Sequence, residues 1–345
     1  MITALLIKMS SLGDVVHTLP AITDAALAGV TFDWVVEENF APIAALHPAV
    51  RNVIPIAWRR WRRNLRTSRS EMRSFRSRLK DAHYDVILDS QGLAKSWAVS
   101  RMVNGEVRAG FAADSARERF ASLFIDKAVH VPKALHAIDR QRRLFAQVFG
   151  YVQPQGFTYG LGRHHARTDH ARTDSDAART CLILHGTTWS SKHYPDSLWQ
   201  ELVTLAKADG FNVVLTWGNA AEQQRADHLA RVGATVWPQR SLAGFSEAMA
   251  GVSLVIGVDS GLTHLAAALD IPTVALYGST DPVLTGVRGH HAASLSATFP
   301  CAPCRSPTCK FAADGTTHDV MPPCYGSLAP GQIWQAAKRQ LAQAS

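Results

Sequence analysis

The chain has 345 residues, 47% of them hydrophobic, and a formal charge of +8. That length suits two α/β domains. No run of 18 apolar residues is present to cross a membrane, and a strand begins too close to Met1 for a signal-peptide layout, so the protein is expected in the cytoplasm.

The first apolar strand, Leu5–Ile7, runs through Lys8-Met9-Ser10-Ser11-Leu12-Gly13-Asp14 into a helix expected from near Val15 to Ala28. A strand that delivers its C-terminal end to a helix N-terminus gathers backbone N–H donors and a positive dipole end at one place. Asp14 on that rim reads either as a helix N-cap or as a carboxylate base. The turn has a single Gly and lacks both GxGxxG and GxxxxGK[ST], so neither a dinucleotide fingerprint nor a P-loop accounts for it.

Strands at Phe32–Val36 and Val53–Ile56, with a helix at Ala41–Leu46 between them, continue the alternation. A basic stretch follows. Residues 59–80 carry nine arginines and Lys80 against one acid, Glu71. This run dominates a wider asymmetry, since residues 1–160 hold 22 Lys+Arg to 14 Asp+Glu while residues 161–345 hold 14 of each. So local a field attracts an anionic partner: nucleic acid, acidic lipid headgroups or a phosphorylated substrate. Strand Val86–Leu88, helix Gln91–Met102 and strand Ala109–Phe111 complete the first half, a parallel βαβ pattern. Residues 161–180 read as a polar linker, in which HARTD occurs twice in tandem, at His165–Asp169 and His170–Asp174.

The alternation then restarts with Leu182–Leu184, helix Pro195–Ala208, Val213–Thr216, helix Ala221–Val232, Leu254–Val258, helix Gly261–Leu269 and Thr273–Tyr277. Two doubly wound domains follow, 1–160 and 181–328, with a last helix at 329–345 that could pack back on the first. Three strand ends of the second half carry polar residues where open α/β sheets bind ligands. After Leu184, Gly186, Thr187 and Thr188 let amides approach phosphate oxygens, and Lys192 can neutralise a departing diphosphate. Glu222, one turn into the next helix, can accept ribose hydroxyls. After Val258, Asp259 caps a helix or binds, Ser260 and Gly261 leave amides open for a pyrophosphate or sugar, and His264 can add a hydrogen bond or charge. Leu262, Leu265, Ala266 and Leu269 form the buried stripe, which puts Ser260, Gly261 and His264 on a different face. Cys301-x2-Cys304-x4-Cys309-x14-Cys324 could offer thiolates to zinc, with spacing irregular for a structural site.

KMSSLGDVVHTLPAITDA, FDWVVEE, RRWRR, DSQGLAKS, ARE, HGTTWSSKHYP, WGNAAE and VDSGLTHLAAALDIPTVALYGSTDP together resemble the inverting family 9 glycosyltransferases, the bacterial lipopolysaccharide heptosyltransferases. The resemblance spans nearly the whole chain. It implies a GT-B architecture, two Rossmann-like domains facing across a cleft. It also implies an ADP-heptose donor and, as acceptor, the 3-deoxy-D-manno-octulosonic acid (Kdo) residue of Kdo-lipid A, reached as a peripheral protein at the cytoplasmic face of the inner membrane. Inversion takes one in-line displacement, in which a base deprotonates the acceptor hydroxyl as the diphosphate leaves. Asp14 matches the family's base. Thr187, Thr188 and Lys192 match positions around the phosphates, Glu222 the ribose contact, and Asp259, Ser260, Gly261 and His264 the heptose and diphosphate region. Ser10 and Ser11 lie on the matching inner rim. Arg59, Arg60, Arg62, Arg63 and Arg117 match basic positions that would meet the acceptor's carboxylates and phosphates through bidentate guanidinium pairing; Trp58 and Trp61 would pack beneath them or touch lipid. No DxD pair stands beside the donor loops, so no metal or cofactor is required. A second-heptose transferase or other family 9 enzyme, an epimerase of the same architecture and a nucleic-acid-binding module are the rival readings.

Overall fold

A computed structural model describes residues 1–161, 179–312 and 320–344; the tandem HARTD repeat lies outside them. The chain divides into two compact units, Met1–Leu161 and Gly162–Ser345. In the first, β1 (Ile2–Ile7), α1 (Leu12–Leu27), β2 (Val30–Glu37), α2 (Ala41–Ala44) and β3 (Val50–Ile56) lead into the arginine-rich α3 (Trp58–Arg63) and α4 (Arg69–Asp81). Then come β4 (His83–Asp89), α5 (Ala94–Ser100), β5 (Asn104–Phe111), β6 (Lys127–Val129) and α6 (Ala137–Phe149). All pairings are parallel and the strand order is β3-β2-β1-β4-β5-β6.

The second unit repeats the plan with β7 (Thr180–Leu184), α7 (Asp196–Ala208), β8 (Asn212–Leu215), α8 (Ala220–Leu229), β9 (Thr235–Val236), α9 (Leu242–Met249), β10 (Leu254–Val258), α10 (Gly261–Ala268), β11 (Thr273–Tyr277), α11 (Pro282–Thr285), β12 (Ala292–Ser296) and α12 (Pro330–Ala344). Its order, β12-β11-β10-β7-β8-β9, is the same doubly wound arrangement. These are the two Rossmann-like α/β units of a GT-B chain. In such sheets the strand order reverses beside the first strand, here between β1 and β4 and between β7 and β10, and ligands bind outside the strand ends at that place. The four loops that follow these strands carry most of the residues singled out above.

The central strands are apolar on both faces, as sheets covered by helices must be: Leu5, Leu6 and Ile7 in β1 and Leu254, Val255 and Ile256 in β10 have no exposure. The C-terminal helix α12 contributes to the core of the second unit. Ile333, Trp334, Ala336 and Ala337 are buried in it, and the Trp334 indole donates to Asp209 at 2.7 Å. Two boundaries shift. Helix α5 starts at Ala94 rather than Gln91 because Asp89 Oδ1 accepts the amides of Gln91 and Gly92, and Gly92 takes φ +66°. Helix α1 starts at Leu12, three residues before the expected point, with Ser11 as its N-cap.

Candidate functional site

At the first switch point Asp14 is the third residue of α1, not its cap. Its Oδ2 accepts from the Ser11 amide at 2.8 Å and the Ser11 hydroxyl at 3.1 Å, a capping-box bond that anchors the helix start. Oδ1 stands 3.5 Å from the Lys8 ammonium, which is almost wholly buried while the Asp14 side chain remains 37% exposed. Burial alone would raise the Asp14 pKa, but Lys8, the two Ser11 bonds and Arg117 outweigh it and hold the carboxyl below its ordinary value. Asp14 is therefore ionised, fixed in orientation and open on one side.

Around it lie charged groups that the sequence did not mark. Lys8 Nζ donates to the Ser90 carbonyl at 3.2 Å. Lys95 Nζ donates to Ser10 Oγ at 2.7 Å, and burial pushes its pKa down although Glu37 and Asp14 oppose this. The Gln91 amide group closes the rim, its Oε1 accepting from the Met9 and Ser10 amides and its Nε2 donating to the Ser10 carbonyl. Buried Asp89 holds the DSQG loop; burial raises its pKa to about 6 against the bonds from Gly92, Ser96 and Gln91 and the charge of Lys8. Glu37 is buried too, accepting the Arg59 amide at 3.0 Å, with its second oxygen unpartnered. Each stands at the end of β1, β2 or β4 or in the loop or helix that follows, which is the signal by which they could have been found.

The arginines divide. Arg62 and Arg63 are exposed and, among the described residues, form no ion pair. Arg59 stands 5.6 Å over the Phe40 ring, and exposed Arg117 contributes to the field on Asp14. Arg60 is already engaged, bidentate to Glu38 and bonded to Glu71 at 3.0 Å, which pushes its pKa further up. It thereby ties α3 to α4, with its side chain still about half exposed. Trp61 does not reach lipid: it is buried against Phe75 with its indole on Glu71.

In the second unit Asp259 is the hub. Its Oδ2 accepts from Lys192 Nζ and from Thr280 Oγ1, each at 2.7 Å, and Oδ1 lies 3.3 Å from His264 Nε2. Burial opposes ionisation, yet His264 and Lys192 hold the carboxyl far below the carboxylate range. Asp259 thus positions Lys192, whose ammonium also lies 4.6 Å over the Trp189 ring. Ser260, not Asp259, caps α10, accepting the Thr263 amide. The amides of Gly261 and Leu262 belong to the first turn and have no intrahelical acceptor. His264 is buried, as are all residues from Thr263 through Ala268. Thr187 Oγ1 donates to the Asp259 carbonyl at 3.4 Å, joining the loops after β7 and β10. Glu222 Oε2 accepts the Gly218 amide at 2.7 Å and lies so close to Gly186 that a Cβ there would meet its carboxyl carbon at 2.9 Å. The absent side chain of Gly186 is what lets Glu222 lie along the β7 loop, next to Thr187 and Thr188.

Arg225, unmarked in the sequence, ties this loop down by bonding Asp196, the His185 and Tyr194 carbonyls and the His193 ring. Arg240 packs over Trp237. Cys301, Cys304, Cys309 and Cys324 line one cavity of about 270 Å³ as free thiols. Among the described residues no three His, Cys, Asp or Glu side chains are grouped to hold a metal ion.

With this geometry in view, three comparisons agree. The model of glycosyltransferase family 9 (heptosyltransferase) matches residues 72–313. Lipopolysaccharide heptosyltransferase 1 of Pseudomonas aeruginosa is 47% identical over 343 residues, 95% of each chain, and that of Escherichia coli strain K12 is 45% identical over 294 residues, 83% of this chain and 90% of the relative. The solved E. coli heptosyltransferase WaaC with ADP is similar at a TM-score of 0.83 and 37% identity, covering 98% of this chain and 99% of its own.

Proposed function

From the premise that the chain belongs to glycosyltransferase family 9, the heptosyltransferases, we propose that it transfers heptose from ADP-heptose to the Kdo residue of Kdo-lipid A, with Asp14 as general base. Membership makes it a heptosyltransferase of lipopolysaccharide synthesis; the donor, the acceptor and the residue roles are inferred. Full-length likeness to heptosyltransferase 1 proteins favours the first-heptose acceptor over the second, and likeness to an ADP-bound enzyme favours ADP as the donor's nucleotide.

The observation that carries the mechanism is Asp14 itself: a carboxylate kept ionised by Lys8 and held in place by Ser11 at a switch point. It takes the proton from the acceptor hydroxyl as that oxygen attacks the anomeric carbon and the bond to the diphosphate breaks on the opposite face. Arg59, Arg60, Arg62, Arg63 and Arg117 orient the anionic acceptor sugar, and Ser10 and Ser11 meet the donor from the inner rim of the first unit. In the second unit Lys192, the Thr187 and Thr188 loop and the first amides of α10 balance charge on the departing diphosphate, so this chain's own cations suffice without a metal or other cofactor. Glu222 accepts ribose hydroxyls. Kdo-lipid A is membrane-borne, which makes the protein a peripheral visitor to the inner membrane; no helix among the described residues is long and apolar enough to cross one.

Asp14→Ala is expected to abolish transfer while the dissociation constant for ADP-heptose stays within about twofold. Turnover above a few per cent of wild type would remove Asp14 as the base. Tight, salt-sensitive binding to DNA or RNA would favour the basic stretch as a nucleic-acid surface instead.

A further inference from the structure

Three large apolar side chains crowd the surface within five residues of the first unit. Phe120 is 48% exposed, Leu123 47% and Phe124 68%. The other exposed large hydrophobics, such as Leu27, Leu65, Val152 and Val283, stand singly along the chain, the pattern that needs no explanation. This cluster is built rather than frayed. Trp97 packs edge-on against Phe120 with centroids 4.8 Å apart and tilted against Phe124 at 6.5 Å, and its indole donates to the Leu123 carbonyl at 3.0 Å. Buried Ala121 pins the loop from below, and Gly110 leaves the room that Ile125 fills. Phe124 holds φ +62°, a region unfavourable for a bulky residue.

The rim of the cluster is basic. The Arg101 guanidinium lies 5.5 Å over the Phe124 ring, and Arg117 and Arg119 are exposed on the same loop. The neighbouring acids are occupied: Glu118 accepts the Ala94 amide at 2.7 Å and Asp126 the Arg108 amide at 2.8 Å. Exposed aromatics ringed by arginine match a bilayer interface, where rings enter the boundary between headgroups and acyl chains and cations meet anionic lipid. Arg117 also acts on Asp14, so the patch and the base share one rim of the unit.

We propose that Phe120, Leu123 and Phe124, with Arg101 and Arg119, form a docking surface for an anionic phospholipid membrane. It seats the protein so that a lipid-borne acceptor sugar comes to Asp14. This rests on the reading of a membrane-borne acceptor.

The test is co-sedimentation of wild type and the Phe120→Ser/Phe124→Ser double variant with phosphatidylglycerol vesicles and with phosphatidylcholine vesicles. Wild type should bind phosphatidylglycerol more tightly, less so in salt, and the variant should lose at least roughly tenfold, since each ring withdrawn from lipid forfeits a comparable factor. Transfer to a water-soluble, deacylated acceptor should be unchanged in the variant, while transfer to acceptor embedded in vesicles falls. Equal vesicle binding by variant and wild type, or none by wild type, overturns the patch even if transfer is intact. A wild-type dimer in solution that the variant splits would overturn it in favour of a second copy on this face. Absence of transfer to any acceptor, with vesicle binding as described, would sink the functional reading alone.

Discussion

Lys8→Met removes the nearest cation from Asp14 and replaces it with an unbranched apolar side chain of similar length that tolerates burial. At 3.5 Å the attraction lies between about 1 kcal/mol in bulk water and about 5 kcal/mol at an effective dielectric of 20. Solvent reaches the carboxylate, so the lower end applies, about 1–1.5 kcal/mol or roughly one pH unit. Loss of a group that favours the ionised form raises the Asp14 pKa. The acid limb of kcat/KM, which reports the free enzyme's base, should therefore rise by roughly one unit, with the plateau at neutral pH reduced less than the rate at pH 5. Lys8 also lies within the field of Asp89, whose pKa is about 6. The profile is therefore measured in wild type, Lys8→Met, Asp89→Asn and the double variant, from pH 3.5 to 8, on ADP-heptose and soluble acceptor. An acid limb unmoved by Lys8→Met would refute the coupling. A wild-type limb that disappears in Asp89→Asn would transfer it to Asp89.

Other outcomes follow from the same contacts. Asp89 has a folded-state pKa of about 6 above its ordinary 3.8, so the native state binds more protons between pH 4 and 6 and stability falls as pH rises through that window. Asp89→Asn should then raise the melting temperature at pH 7, by on the order of 2–3 kcal/mol in stability, with no gain at pH 4. Lys192→Ala should lower kcat by roughly 10²-fold for want of charge at the diphosphate. It should also cost about 1–3 kcal/mol of stability by stripping a partner from buried Asp259, measured by turnover and urea denaturation. Gly186→Ala should displace Glu222 and weaken ADP binding by roughly tenfold in calorimetry, with kcat less affected.

The βα rhythm was legible because each central strand is a short apolar run that ends in a turn of small and polar residues, and that alone placed Asp14, Thr187 and Asp259 at strand ends. Two of the edge strands, β6 and β9, were not. β6 has three residues and β9 two, too few to carry a period. Which residue caps which helix also escaped, since Ser10, Ser11 and Asp14, or Asp259 and Ser260, all have capping chemistry and only the backbone path chooses among them. Charge partners were hidden for a different reason. Arg60 meets Glu38 across 22 residues and Lys192 meets Asp259 across 67, separations at which no local pattern speaks. The burial of Lys8 and of His264 likewise shows only once the sheets and α10 are assembled.

Mass spectrometry of Kdo-lipid A after incubation with ADP-heptose and either wild type or Asp14→Ala tests the proposed transfer most directly. Wild type should add a single heptosyl unit to the acceptor and release ADP, and the variant should add none while still binding ADP-heptose. An unmodified acceptor with wild type, or an equal gain in mass with both proteins, would contradict it.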